Sequence, residues 1–219
     1  MSSEPLVRWE WIADHWDDIG TRLAEHLWLT VLAVAIGFAI SLPLGIYAYR
    51  HRRAYAPIAG FTGVLYTIPS LGLFAILVPY TGLSTLTAEI GLVSYTLLIL
   101  IRNVVSGLDA VPADTKEAAK GMGYSERQLL WRVEMPVAAP VIIAGIRIAT
   151  VTTIGLVTVT ALIGKGGMGY FILLGLRSFF PTAALLGAAL SVLLAIAAEG
   201  IWLGINRLVT PWAHRKATA

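Results

Sequence analysis

Glu117-Ala118-Ala119-Lys120-Gly121-Met122-Gly123 sets charge among very small side chains, and after nine intervening residues comes Val133-Glu134-Met135-Pro136. The chemistry this spacing suits is contact with another protein. Ala118 and Ala119 present almost no side chain, so a foreign surface can approach a helix there closely, with Glu117 and Lys120 beside it. The remaining reactive side chains suggest no catalysis, since no Ser/His/Asp order and no paired carboxylates occur. His15, His26, His51 and His214 have no metal-ligand spacing and read as interface or cytoplasmic residues. The absence of cysteine removes disulfides, thiol nucleophiles and thiolate metal sites, and leaves the redox compartment open.

The elements that must position these residues are membrane helices. The 219 residues are 57% hydrophobic and 13% charged, with a mean hydropathy of +0.76, against about 25% charged in soluble domains. A pI near 9.3 could suggest nucleic acid, but the basic residues fall between apolar spans and form no stripe on a soluble fold. Leu27 to Tyr49 is uncharged over 23 residues, enough to cross a hydrocarbon core of about 30 Å. Four further spans are expected: about Pro57 to Val78, Glu89 to Leu108, Pro136 to Ile163 and Pro181 to Asn206. Before them, Trp9, Ile12, Trp16, Ile19 and Leu23 recur at three- and four-residue steps among acidic residues, which predicts an amphipathic helix or an early part of the first span. No basic n-region precedes it, so it does not read as a secretory signal.

Five spans put the termini on opposite sides. One side takes Arg50, Arg52, Arg53, Arg102, Lys116, Lys120, Arg127, Arg132, Arg207, Arg215 and Lys216, eleven basic residues, against four on the other, Arg8, Arg22, Lys165 and Arg177. The positive-inside rule then puts the N-terminus outside and the Glu117 loop and C-terminus in the cytoplasm. A charged loop of this length cannot rest in hydrocarbon, so it must meet something in water. Asp114-Thr115-Lys116-Glu117 and Ser125-Glu126-Arg127-Gln128 each read as a capping box, so two short helices joined at Gly121 and Gly123 are expected. Pro136 then opens the fourth span.

Arg147 and Glu199 are the ionisable residues deepest in their spans, about 16 and 10 Å from the cytoplasmic ends at 1.5 Å per residue. An unpaired charge there is costly, so they either pair and brace the fourth helix against the fifth or face an aqueous pathway. Gly164-Lys165-Gly166-Gly167-Met168-Gly169 has the letters of a dinucleotide fingerprint, but it follows a membrane helix on the outer side and lies in no βαβ unit. It also lacks the Gly-Lys-Ser/Thr ending of a P-loop. Gly164, Gly166, Gly167 and Gly169 either turn the chain tightly or line an outer gate.

Glu117-Ala118-Ala119, Gly123, Val133, Met135 and Pro136 resemble the signature of type I ABC importer permeases: Glu-Ala-Ala, three residues, Gly, nine residues, then Ile-x-Leu-Pro. Val133 and Met135 depart from it conservatively. The wider resemblance runs from about Trp9 onward and points to the branch that imports osmoprotectants such as glycine betaine, carnitine, choline or proline betaine. It is carried by Thr67-Ile68-Pro69-Ser70-Leu71, Leu100-Ile101-Arg102-Asn103, Ala144-Gly145-Ile146-Arg147 and the segment from Ala161 to Gly169.

The resemblance implies an all-α membrane protein of the type I importer fold, multi-pass in a bacterial or archaeal cytoplasmic membrane. Its organisation would be an extracytoplasmic amphipathic segment 1–26, a permease domain 27–207 with a coupling loop 112–135, and a cytoplasmic tail 208–219. The partners implied are a cytoplasmic ABC ATPase dimer that holds ATP and Mg, a second permease copy or sister permease, and an extracytoplasmic substrate-binding protein. That receptor is expected to be separate, because the chain stops at Ala219. No cofactor on the chain itself, no catalysis by it and no nucleic-acid partner are expected. Tyr66, Pro69, Ser70 and Tyr95 are candidates to line the pathway, with packing as the alternative for the tyrosines. A methionine or other amino-acid importer permease is a second reading. An ion-coupled carrier or channel, or a non-transporting assembly subunit, would need no coupling signature.

Overall fold

A computed structural model describes residues 6–214; Arg215 and Lys216 of the basic count and the end of the tail lie outside them. Regular structure among the described residues is helical: α1 (Trp9–Asp14), α2 (Trp16–Arg50), α3 (Arg52–Thr67), α4 (Ser70–Thr81), α5 (Thr85–Asp109), α6 (Ala113–Gly121), α7 (Glu126–Leu129), α8 (Met135–Val159), α9 (Gly169–Arg177), α10 (Pro181–Val209) and α11 (Pro211–His214). A wide π turn, Leu130–Glu134, joins α7 to α8, and a tight 3₁₀ turn, Thr160–Ile163, ends α8. Four stretches are long and apolar enough to cross a membrane, or five if the bent pair α3 and α4 counts as one span.

Three local features depart from the sequence reading. The expected helix from Pro57 to Val78 is broken between Thr67 and Ser70. Pro69 lacks an N–H and biases Ile68 away from helical dihedrals, so the chain leaves one helix and starts another there. Asp114 is not a cap: Pro112, extended at φ −57° and ψ 140°, precedes α6 directly, which leaves Asp114 in the first turn as a charge on the helix dipole. The span between α8 and α10 also holds a further helix, α9, after the glycine segment.

The chain forms two compact units, Met1–Ala35 with Ile68–Val93 and Thr150–Ala197, and Ile36–Thr67 with Ser94–Ala149 and Ala198–Ala219. In the first, the amphipathic stripe is split by a break at His15, so Trp16, Ile19 and Leu23 belong to the long first span. Its apolar face is spent inside the chain. Ile19, Met168 and Phe171 form a buried cluster against which Trp11, Ile12 and Leu23 pack, while Trp9 and Trp16 remain exposed. In the second unit, α5 is the hub. Gly37 and Gly45 of α2 lie against Thr96 and Val104, and Gly107 of α5 against Ala138 of α8, so the helices meet at residues without side chains. Small residues let helix backbones approach this closely in apolar surroundings, where packing replaces the hydrophobic effect as the driving force.

Candidate functional site

The segment between α5 and α8 is built as a short helix, a left-handed glycine and a second short helix. Gly123 has φ +84°, a conformation that side-chain-bearing residues rarely adopt, and open space surrounds it. Ser125 then caps α7 in a full capping box: its backbone N–H donates to Gln128 Oε1 at 2.9 Å, and its hydroxyl accepts from the Gln128 N–H. Glu117, Ala118, Lys120, Gly121, Met122 and Gly123 are exposed, with Met122 69% exposed at the turn. Ala119 is not part of that surface, because the helical period turns it inward to 1% exposure. Thus one alanine opens the outer face of α6 and the other packs its inner one.

The inner face is tied down by charge. Glu134, 4% exposed at the end of the π turn, accepts a hydrogen bond from Tyr49 Oη at 2.8 Å. Lys116 Nζ donates to the same Tyr49 oxygen at 2.8 Å and to the Leu108 carbonyl at 3.4 Å, and lies 3.8 Å from Glu134 Oε1. Around this centre Arg52 pairs with Asp109, Arg50 donates to the Glu126 carbonyl at 3.0 Å, and Lys120 lies 3.4 Å from Glu126. Pro136 explains the π turn: its ring crowds the carbonyl four residues earlier, and the helix widens upstream rather than break. Sequence reasoning passed over Tyr49, Lys116 and Glu134; the signal was an acid inside the quoted Val133 to Pro136 stretch with no assigned partner.

Two further constellations of the second unit come together. Arg147 Nη1 lies 3.3 Å from Glu199 Oε1, and the rings of Tyr66 and Tyr95 meet edge to face at 5.9 Å. Asn103 packs directly on Gly145, so two of the phrases that carry the family resemblance touch. Val133, Met135 and Pro136 are half-buried at the foot of α8.

In the first unit the glycine segment forms no phosphate cradle. Several of its amides are already used: Lys165 donates to the Thr160 carbonyl at 3.0 Å, Gly169 to that of Gly166 at 2.7 Å, and Met168 to His26 Nδ1 at 3.3 Å. Gly166, Gly167 and Gly169 are buried against Ala161, His26 and Thr158, and only Gly164 is exposed. His26 is fully buried, with Nε2 3.0 Å from the Ile154 carbonyl. A carbonyl at one ring nitrogen and an amide N–H at the other fix the tautomer: Nε2 carries the proton and Nδ1 accepts. His26 is therefore the residue that holds this segment, a role no spacing in the sequence announced. Pro69 is exposed and Ser70 half-buried at the helix break. Glu89 at the start of α5 is buried with both carboxylate oxygens lacking a hydrogen-bond partner among the described residues.

Among the described residues the chain is helical, with four to five apolar spans and an exposed, glycine-hinged charged segment between two of them, which is the form of a multi-span membrane protein. The chain belongs to the family of binding-protein-dependent transport system inner membrane components, whose pattern matches residues 33–210. It is 33% identical over 87% of its length, and 88% of the relative's, to the glycine betaine/carnitine/choline transport system permease protein OpuCB of Bacillus subtilis. To the osmoprotectant import permease protein OsmW of Salmonella typhimurium it is 36% identical, over 85% of this chain and 89% of that one. Among solved structures, an inward-facing form of the MetNI methionine ABC transporter matches with a TM-score of 0.78 over 88% of this chain and 96% of that chain. At 22% identity that likeness carries the fold alone.

Proposed function

We propose that this chain is the membrane-spanning permease subunit of an ATP-driven importer of osmoprotectants, small quaternary ammonium compounds of the glycine betaine, carnitine and choline type. The observation that carries the reading is identity of 33% and 36%, over 88% and 89% of their lengths, with permeases named for those compounds. The family name supplies the binding-protein dependence. In this reading a receptor outside delivers the substrate to a pathway shared with a second permease copy or a sister permease. The exposed face of α6, with Glu117, Ala118 and Gly123, docks on a cytoplasmic ATPase dimer that holds ATP and Mg. The eleven-to-four bias of basic residues supports the orientation this requires.

The chain is then non-catalytic and converts the closing of its ATPase into a change of access. Arg147 and Glu199 brace the spans that must move together. Tyr66, at 39% exposure, can offer a ring face to a quaternary ammonium, while Tyr95 is buried and packs edge to face against it; Pro69, Ser70 and Gly164 mark the places where the chain departs from regular helix. The buried Gly166, Gly167 and Gly169 serve packing. The test is reconstitution with ATPase and receptor: ATP hydrolysis should rise with receptor loaded with glycine betaine, carnitine or choline. Stimulation by methionine-loaded receptor alone would overturn the substrate class, and uptake driven by an ion gradient without ATPase would overturn the transporter class.

A further inference from the structure

Lys116, Tyr49 and Glu134 come from three places in the sequence and meet at one phenolic oxygen. Tyr49 Oη donates to Glu134 Oε1 and accepts from Lys116 Nζ, each at 2.8 Å. A hydroxyl is suited to this because it donates one hydrogen bond and accepts others at the same atom. The residues belong to the last turn of α2, the first turns of α6 and the π turn that leads into α8. Lys116 adds the Leu108 carbonyl in the last turn of α5. Four structural pieces are thereby fastened at the inner face of the helix whose outer face is exposed.

The π turn belongs to the same device. One extra residue in a helical turn rotates the residues before it by about 100° relative to those after it. Here it sets the direction of α7 relative to α8 and ends on Glu134, the buried carboxylate that the clamp holds. The charge on Glu134 is costly to bury unless its partners stay in place. Motion of α6 relative to the α2 and α8 ends would take Lys116 away from Tyr49 and leave that charge with the phenol alone and no counter-charge, so the segment and the two helix ends move together.

We propose that Lys116, Tyr49 and Glu134 are positioning residues for energy coupling: they lock α6 to the ends of α2, α5 and α8 so that force on its exposed face reaches the spans. The proposal rests on the reading that this face docks an ATPase. It assigns the transmission to a three-residue clamp, and the docking to Glu117, Ala118 and Gly123.

The test uses the complete transporter in liposomes with its ATPase and receptor, with glycine betaine as the probe. Tyr49→Phe removes one oxygen and Glu134→Gln one charge. Both should retain the ATPase through purification and hydrolyse ATP, while glycine betaine taken up per ATP falls about two- to ten-fold. The double variant should lose no more than the worse single one, because both break the same unit. Lys116→Arg should retain coupling and Lys116→Met lose it. An unchanged uptake-to-hydrolysis ratio in Tyr49→Phe and Glu134→Gln would overturn the clamp, as would a parallel fall of uptake, hydrolysis and folded yield, which marks a merely structural role. Failure of the docking reading is seen separately: Glu117→Arg would then retain the ATPase as firmly as the parent.

Discussion

His26 and Glu134 are both buried polar side chains at a junction of helices, one in each unit, and they are satisfied by opposite chemistries. His26 uses an uncharged imidazole between a backbone carbonyl and a backbone amide, beside a glycine that leaves it room. Glu134 carries charge and is met by two side chains, Tyr49 at 2.8 Å and Lys116 at 3.8 Å. The difference reflects the load each junction must hold. A turn whose own amides bond one another needs shape and one bridging group. A charged segment joined to the spans needs ties whose strength depends on geometry, and charge-assisted hydrogen bonds supply it. The first unit is thus expected to answer to volume and to uncharged hydrogen bonding, and the second to charge.

Gly167→Val is the largest effect expected. The residue has φ +47°, and a Cβ there would lie 2.6 Å from the Cβ of His26. Left-handed strain of about 1–2 kcal/mol and overpacking of about 1–3 kcal/mol act together. Folded, monodisperse protein after detergent extraction should fall severely, and wild-type yield would show that the segment moves freely away from α2.

His26→Leu comes next. It keeps most of the volume but strands the Met168 amide, at about 1–3 kcal/mol for a buried group, and takes from the Ile154 carbonyl a second bond beyond the one it makes within α8. Thermal unfolding in detergent should shift down by several degrees, with His26→Gln losing less because an amide can donate and accept. Equal shifts for leucine and glutamine would make the site a matter of size alone.

The spans and the glycine-joined helices of the charged segment were legible because apolar run length and caps are local. Ser125 and Gln128 could be read as a pair since three residues separate them, and the structure closes that box. Asp114 misled for the same reason: its spacing to Glu117 is right, but Pro112 had already fixed where the helix starts. The break at Pro69 was written in the sequence as a proline, yet a proline inside an apolar run reads equally as a kink in one span. His26, Tyr49 and Lys116 were not legible, since their partners lie 142, 85 and 67 residues away in the chain. Only folding decides which buried polar groups find each other.

Arg147 and Glu199 sharpen the charge half of the comparison. At 3.3 Å, with side chains 31% and 42% exposed, the pair is only partly withdrawn from its surroundings, so truncating either partner should cost about 1 kcal/mol. Arg147→Ala and Glu199→Gln should each lower the midpoint of thermal unfolding, and the double variant should lose less than the sum. Additive losses, or a Glu199→Gln variant that assembles and transports normally while Arg147→Ala does neither, would mean the two charges act independently.

The smallest effect belongs to the box that caps α7. Ser125→Ala removes the hydroxyl that accepts from Gln128 N–H and leaves the reciprocal bond to the Ser125 amide in place. Loss of such a cap costs about 1 kcal/mol. A helix of four residues cannot absorb that loss by itself, but Leu129 and Leu130 remain buried beyond it. Amide exchange should therefore quicken about five-fold across residues 126–129 while the global unfolding midpoint hardly moves. A large global shift would show that the charged segment is part of the folding core of its unit; no change in exchange would show that the buried leucines alone hold α7, and that the charged side of the comparison extends no further than the Tyr49 clamp.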